Sequence, residues 1–396
     1  MEICSVYDCT GCGACVEICP QKCIKMVGDK NGFIYPQIDT IKCVNCEACV
    51  KICPNNDISR ISINENEICP TVLAYVNPDK KTLRKSSSGG AFSCMAEWVL
   101  NNGGTVYGAV FSENLESVKI FRGTDLADIE KMRGSKYVEC STEKTYSEVK
   151  KDLKDDKYVL YTGSPCHIAG LYAVLEGVNC DKLYTVEILC NGVPSSKLYN
   201  MYLKYIEKKY GEIKHYSFRD KNKWGWGSWG SFSYKKKDEE KTKYFVSKSD
   251  YYSALYFSSN CFRESCYNCR YSKLPRIADI TIGDFWGIEQ FKEYAYFKEG
   301  VSIVLLNNEH GSELSEISGV SINSNMYNLE EVKLLNSTIT EGVLRPKDRD
   351  GFYKDLNDLG FESTAKKYVK LNPIKSIIVR YIPFDIKQKI KKYLHR

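Results

Sequence analysis

The apolar positions of residues 71–210 follow two alternating periods. Short apolar runs predict strands over 71–76, 106–111, 118–121, 158–162 and 183–189. Helical spacing predicts helices that begin at Gly90, cover 125–132 and 142–155, and extend from an N-cap at Ser195 to Tyr210. This alternation indicates an α/β domain in which helices cover a central sheet.

Residues 224–246 carry a different pattern. Three tryptophans separated by glycines (Trp224–Gly230) precede a predicted antiparallel hairpin over 231–246. The hairpin leads us to expect a mixed sheet. The tryptophan loop has two interpretations: a mobile lid that stacks on a bound planar ring, or a structural loop that packs against the sheet.

Two cysteine runs precede this domain and share one spacing. Cys9-x-x-Cys12-x-x-Cys15-x-x-x-Cys19-Pro20 is repeated as Cys43-x-x-Cys46-x-x-Cys49-x-x-x-Cys53-Pro54. In this spacing three thiolates bind one 4Fe-4S cluster and the fourth binds the other. The predicted ligands are a first set of Cys9, Cys12, Cys15 and Cys53, and a second set of Cys19, Cys43, Cys46 and Cys49. Zinc is the alternative, although structural zinc sites usually use two separated cysteine pairs.

The region around these runs looks like a bacterial two-cluster ferredoxin. The repeat offset is about 34 residues, and a short strand is predicted after each run, at Ile24–Met26 and at Ile58–Ile61. A turn and a strand are predicted over Asn31–Pro36. Because so small a fold depends on its metal clusters, we expect it to be disordered without them.

Four further cysteines form a third predicted set, Cys166, Cys190, Cys266 and Cys269. Cys166 and Cys190 each follow a predicted strand, and turns after neighbouring parallel strands meet at one edge of a sheet. A loop that carries Cys266 and Cys269 over that edge completes four thiolates. We interpret the set as ligands of a third 4Fe-4S cluster, with free buried cysteines or zinc as alternatives. The other seven are interpreted as small buried side chains: Cys4, Cys23, Cys69, Cys94, Cys140, Cys180 and Cys261.

Two glycine-containing loops are candidates for phosphate binding. Ser87, Ser88, Gly89 and Gly90 open a helix, where unpaired amides favour an anion such as the phosphate of a dinucleotide. Arg133, Gly134, Ser135 and Lys136 add cations and a second glycine turn. The alternatives are a serine-capped helix start and an exposed polar turn.

Composition excludes several classes of protein. The chain has 396 residues, 19 of them Cys, and begins at Met1 without an apolar leader or a membrane span, which suggests a reducing cytoplasm rather than secretion. The 56 Lys and Arg nearly balance the 50 Asp and Glu, for a net charge of +6. Without a basic recognition helix or an RNA-binding signature, no nucleic-acid partner is expected.

Much of the excess charge lies near the end of the chain. Residues 373–396 place isoleucines at helical spacing between lysines. One interpretation is peripheral contact with an anionic membrane or with a partner. The other is an amphipathic helix that packs on its own domain.

Six motifs stand in order along residues 70–320: SSSGGAF (86–92), RGSKY (133–137), GSPCH (163–167), LCNGVP (189–194), SCYNC (265–269) and DITIGDFWG (279–287). With these motifs in this order, the region resembles the coenzyme F420 hydrogenase/dehydrogenase beta-subunit family. The resemblance implies FAD near the 87–90 and 133–137 loops, with a 4Fe-4S cluster beside it. His167 and Asn191 depart from the glutamine and histidine that are common in the family.

These observations predict an α+β ferredoxin-like two-cluster domain (1–66), a mixed-sheet α/β flavin-binding domain (67–345) and a helical, basic amphipathic tail (346–396). The predicted function is an iron-sulfur flavoprotein oxidoreductase that links a redox partner protein or ferredoxin to a small molecule, such as a deazaflavin. The alternative is a non-catalytic electron-transfer or scaffold subunit. No nucleophile elbow or hydrolase triad is present, and no catalytic side chain is assigned.

Overall fold

A computed structural model describes residues 1–57, 69–294 and 297–371, together with 381, 382 and 386. The amino-terminal unit consists of α1 (Ala14–Ile18), β1 (Ile24–Gly28), β2 (Ile34–Ile38) and α2 (Ala48–Lys51). Strands β1 and β2 pair antiparallel, as predicted. The strand predicted at Ile58–Ile61 lies outside the described residues.

The remaining strands of the described chain build two sheets. In chain order they are β3 (Thr71–Tyr75), β4 (Thr105–Phe111), β5 (Val118–Gly123), β6 (Cys140–Ser141), β7 (Val159–Gly163), β8 (Leu183–Ile188), β9 (Glu212–Ser217), β10 (Trp229–Lys236), β11 (Glu239–Val246), β12 (Ile280–Asp284), β13 (Ser302–Leu306) and β14 (Ser324–Tyr327). The large sheet has nine strands in the order β14-β3-β13-β12-β8-β7-β4-β5-β6. Strands β12, β8, β7 and β4 are parallel neighbours, whereas β13, β3, β14 and β5 pair antiparallel.

The mixed α/β fold is thus confirmed, but the stated reason for it was wrong. The β10–β11 hairpin does form, yet it pairs with β9 in a separate three-stranded sheet. The antiparallel strands of the large sheet come instead from β3, β5, β13 and β14.

Ten helices of the described residues pack against the two sheets and against one another. They are α3 (Lys80–Lys85), α4 (Ala91–Asn101), α5 (Leu126–Met132), α6 (Thr145–Lys154), α7 (Pro165–Val174), α8 (Ser196–Tyr210), α9 (Tyr251–Ser258), α10 (Glu309–Ile317), α11 (Leu329–Leu335) and α12 (Arg349–Tyr368). The Ser195 side chain caps α8 by accepting a hydrogen bond from the Leu198 amide, as predicted. None of the helices in the described part of the chain has the length and apolar character needed to cross a membrane.

The amino-terminal unit shares the core of the α/β domain. Ala14 and Cys12 are buried against Ile168 and Leu171 of α7, and Phe33 is buried against α8 and α12. Packing of this kind fixes the cysteine runs relative to the large sheet.

Helix α12 belongs to the same core. Phe352, Leu356 and Phe361 are buried in the cluster that includes α8. Within the predicted tail, residues 349–368 therefore pack on the main domain. The segment interpreted as membrane-binding, 373–396, lies almost entirely outside the described residues, and the domain limits stay predictions.

Candidate functional site

The second cysteine set lies at the surface of the amino-terminal unit. Its four members, Cys19, Cys43, Cys46 and Cys49, line one pocket together with Cys23. Cys46 is exposed and Cys49 is buried. The sulfur atoms of Cys19 and Cys23 lie 3.4 Å apart. One edge of this set therefore faces solvent.

The two cysteine runs use the same backbone turn. Gly11 and Gly13 have φ values of 73° and 81°, and the equivalent Asn45 and Glu47 have values of 53° and 58°. The left-handed conformation favours glycine and tolerates asparagine, but it is unusual for glutamate. In the first run a side chain is also excluded by space, since a Cβ on Gly13 would lie 2.6 Å from Thr142 Oγ1.

The first cysteine set is buried at the boundary with the α/β domain. Cys9, Cys12, Cys15 and Cys53 are each at most 8% exposed. Burial raises the pKa of Cys12 to about 12, and the neighbouring Cys53 and Cys9 add to the shift. Burial likewise raises the pKa of Cys15, with contributions from Cys12, Cys9 and Cys53. The four thiols thus lie close together, away from water.

Hydrogen bonds anchor this set to the α/β domain. The Cys12 carbonyl accepts from Tyr146 Oη at 2.8 Å and from Thr142 Oγ1 at 2.9 Å. The Cys9 carbonyl accepts from Arg263 Nε at 2.7 Å. The buried first set is therefore anchored to the start of α6 and to the loop that carries Arg263.

The third cysteine set lies at the carboxyl ends of the parallel strands. Cys166 follows β7, Cys190 follows β8, and the two strands are adjacent and parallel. The loop that carries Cys266 and Cys269 crosses this edge. Burial raises the pKa of Cys166, and the thiols of Cys190, Cys269 and Cys266 raise it further. The structure thus brings the four predicted residues together.

Tyr271 lies between the first and third sets. Its ring is 2% exposed, and its hydroxyl donates to Asn55 Oδ1 at 2.7 Å. Burial raises its pKa, and Cys12 and Cys53 of the first set and Cys166 and Cys269 of the third add to the shift. The Tyr271 hydroxyl is therefore near thiols of both sets.

A cavity of about 530 Å³ adjoins the third set, and all four of its cysteines line it. Ser87, Ser88 and Gly90 of the first predicted phosphate loop and Arg133 to Lys136 of the second also line it. The Ser87 hydroxyl accepts from the Ser135 amide at 2.8 Å, which ties the loops together. Both predicted loops and the third cysteine set therefore share one cavity.

Gly89 lies behind this wall. A Cβ at Gly89 would lie 2.0 Å from the Tyr75 carbonyl and 2.4 Å from the Ser302 amide. Only glycine permits this approach, which seats the loop between β3 and β13.

The two predicted cations are engaged by protein atoms. Arg133 donates to Glu97 and to Ser93 at 2.8 Å. Lys136 Nζ donates to the carbonyls of Met132, Arg133 and Gly134 at 3.0 to 3.1 Å. The Ser88 hydroxyl is engaged as well, since it donates to the Val301 carbonyl at 2.6 Å. The amides at the start of α4 are the candidate contacts for a ligand at this wall.

Two known protein families match parts of this chain. Residues 156–323 match the family that comprises the C terminus of the beta subunit in coenzyme F420 hydrogenase/dehydrogenase. Residues 8–56 match the 4Fe-4S dicluster domain. The chain is therefore similar to this beta-subunit family over residues 156–323 and to the dicluster domain over residues 8–56.

The comparisons with curated proteins and solved structures add the following. No curated protein matches the chain. A chain from a xenon-derivatised structure of the F420-reducing NiFe hydrogenase complex of Methanosarcina barkeri shares 18% identity with it. The alignment covers 75% of this chain and 90% of the other, with a TM-score of 0.45.

Three further residues were assigned no role from the sequence, although two of them, Asp284 and Trp286, lie within the DITIGDFWG motif. Arg219, Asp284 and Trp286 line the cavity, and Asp284 accepts from Arg219 and from Trp226 Nε1. Trp226 stacks on Trp286 at 4.9 Å with an angle of 3° between the rings. One signal was present: Trp286 follows β12, a parallel neighbour of β8, so the rule that united Cys166 with Cys190 also applies to it.

The tryptophan loop supports the cavity wall through this stack. Trp226 contacts Trp286, and Trp224 packs edge-to-face on Trp229 at 5.9 Å. The structural interpretation of the loop fits these contacts.

His167 and Asn191, the two residues that differ from the family pattern, both line the cavity. His167 is 6% exposed, and burial lowers its pKa to about 4, so the imidazole is neutral at pH 7. Asn191 lies beside Tyr256.

The interpretation of the remaining cysteines was right in part. Cys23 and Cys261 are buried, whereas Cys69 is exposed, because it lies in the connecting segment ahead of β3. Cys4, Cys94, Cys140 and Cys180 are partly buried. Within the described residues, no three metal-ligating side chains converge closely enough to bind a single metal ion.

Proposed function

We propose that this iron-sulfur electron-transfer protein is a flavin-dependent oxidoreductase. Electrons pass between a partner protein at the second cysteine set and a flavin in the cavity, through the first and third sets. One observation carries the proposal: the third set and both predicted phosphate loops line the same cavity of about 530 Å³. Cavities of about 300 to 1,000 Å³ are typical of cofactor sites.

The third set fits a 4Fe-4S cluster by its chemistry. Burial raises the pKa values of three of its thiols, Cys166, Cys190 and Cys266, and iron replaces the protons of such thiols when a cluster binds. Cys166 Sγ also lies 3.2 Å from Ser164 Oγ. A hydroxyl at this distance supplies a hydrogen bond to a sulfur ligand.

The opposite wall fits the phosphates of a flavin dinucleotide. Gly90, with φ of 86°, turns the chain into α4, so the first amides of this helix are open to the cavity. Such amides bind phosphate oxygens. When bound, a flavin exchanges two electrons with organic molecules and single electrons with iron-sulfur clusters.

The second set is the proposed contact for the partner protein. Cys46 is the exposed ligand, and Met1 and Val44, which are 53% and 60% exposed, flank the same pocket. The first set, in contrast, is buried. Electrons therefore enter or leave most readily at the second set.

Anaerobic iron and flavin analysis tests the proposal. The full chain is expected to contain about twelve irons and one flavin, and Cys266→Ala about eight irons. Cys69→Ala, at an exposed cysteine outside the three sets, is the control and should keep all twelve. Full iron without any flavin would contradict the enzymatic assignment.

That result would favour a second candidate, a non-catalytic electron-transfer subunit. The observation behind this candidate is that Arg133 and Lys136 already donate to protein atoms, which leaves a ligand fewer cationic contacts.

A further inference from the structure

A buried ion pair lies where the amino-terminal unit meets the α/β domain. Arg263 and Glu139 are 1% and 6% exposed and form a salt bridge. Arg263 also donates to the carbonyls of Cys9 at 2.7 Å and Ile34 at 2.8 Å. The Ile34 amide donates to Glu139 Oε2 at 3.1 Å. Both charges therefore contact the amino-terminal unit, although neither belongs to it.

The guanidinium lies within reach of two cysteine sets. Arg263 Nη2 is 3.8 Å from Cys9 Sγ of the first set. Arg263 also acts on the thiol of Cys266 in the third set. Its other surroundings are aromatic, with the Tyr35 ring centroid 4.1 Å away. With little water to screen it, the charge acts strongly on its neighbours.

Stability alone does not account for this pair. Removing two charges from water costs several kcal/mol for each ion, and apolar replacements of buried pairs are often neutral or stabilising. Here Nη2 of the guanidinium lies near a cysteine sulfur, while Nη1 donates to the carboxylate of Glu139. An arrangement of this kind changes the free energy of adding an electron next to Cys9.

We propose that Arg263 and Glu139 set the reduction potential of the cluster held by Cys9, Cys12, Cys15 and Cys53. Reduction adds one negative charge to the cluster, and no bond forms or breaks. Arg263 stabilises that charge and raises the potential, whereas Glu139 opposes it and lowers the potential. The pair thus tunes the electron step between the first and third sets. This inference rests on the proposed function, because it requires a cluster at the first set.

Two substitutions with opposite expected signs test the inference. Glu139→Gln keeps the shape of the side chain but removes its charge, so the potential should rise. Arg263→Gln keeps a polar side chain but removes the positive charge, so the potential should fall. A tenfold change in the ratio of reduced to oxidised cluster corresponds to about 59 mV for one electron. We expect each variant to change the ratio by about tenfold.

The measurement is a redox titration of the full chain at pH 8, with dithionite as reductant. Electron paramagnetic resonance detects the reduced clusters at each potential. The component of the first set is identified by its loss in Cys12→Ala. Glu187→Gln is the matched control. It neutralises a second buried carboxylate, which pairs with Arg276 and acts on Cys190 of the third set. This control should leave the component of the first set unchanged.

A purely structural role would give a different result. If both variants shift the component in the same direction, or leave it unmoved while iron content is full, the inference is overturned. If one variant loses its iron, the other variant decides alone. A shift opposite to its expected sign, or no shift, then overturns the inference. A wild-type chain without iron at the first set would instead contradict the proposed function.

Discussion

Lys221 shows how one buried charge is tolerated beside the cavity wall. It is 9% exposed, and its Nζ donates to the carbonyls of Ser88, at 2.7 Å, and Glu299. Burial lowers its pKa to about 7, Asp284 opposes the shift, and Arg219 adds to it. The lysine thus links the Ser88 loop to Glu299 by donating to both carbonyls. Its burial in this position is the reason that its pKa is lowered.

This lowered pKa predicts a pH dependence of stability. Between the folded value of about 7 and the unfolded value of about 10.4, the unfolded chain binds a proton that the folded chain lacks, so the free energy of unfolding rises with pH. From pH 7 to pH 9 the rise due to Lys221 should be about 2 kcal/mol. Anaerobic urea unfolding should show a smaller rise in Lys221→Met and a full rise in Lys223→Met, an exposed neighbour. Equal rises in all three proteins would contradict this account.

Some residues of the candidate site can be predicted from the sequence, and others cannot. The first and second cysteine sets follow from local spacing, because each run supplies three ligands within seven residues. Arg263 carries no local signal: its partner Cys9 is 254 residues away, and the two meet only when the amino-terminal unit packs on the large sheet. The engagement of Arg133 and Lys136 by protein atoms was equally hidden, since it depends on the turn at Gly134.

At the scale of elements, the parallel strands β7, β8 and β12 organise the cavity. Their carboxyl ends carry Cys166, Cys190 and Trp286 to one edge. The neighbouring positions of β7 and β8 followed from the alternation of strands and helices. The position of β12 beside β8 could not be predicted in this way. More than ninety residues separate the two strands in the chain, and these residues include a separate three-stranded sheet.

Helix α12 gives a prediction at this scale. Phe352 is fully buried in the core beside α8, so Phe352→Ala should lower the free energy of unfolding by about 3 to 5 kcal/mol. Leu359→Ala, on the same helix but 54% exposed, is the control and should change it by less than about 0.5 kcal/mol. Anaerobic chemical denaturation measures both. Equal effects would show that α12 does not pack as described.

At the scale of the whole molecule, burial orders the three cysteine sets. The second set reaches the surface at Cys46, the first is buried at the domain boundary, and the third lines the cavity beyond Tyr271. The exposed second set, the buried first set and the partly buried third set at the cavity thus follow one another in space. This order supports the proposed route for electrons.

The most direct test of this route is rapid-freeze electron paramagnetic resonance combined with flavin absorbance, after mixing with a one-electron donor under anaerobic conditions. In the wild type, the clusters and the flavin should be reduced in succession. In Cys266→Ala, the first and second clusters should be reduced at the wild-type rate, while the flavin is reduced far more slowly. Flavin reduction at the wild-type rate in a Cys266→Ala protein that lacks the third cluster would contradict the account.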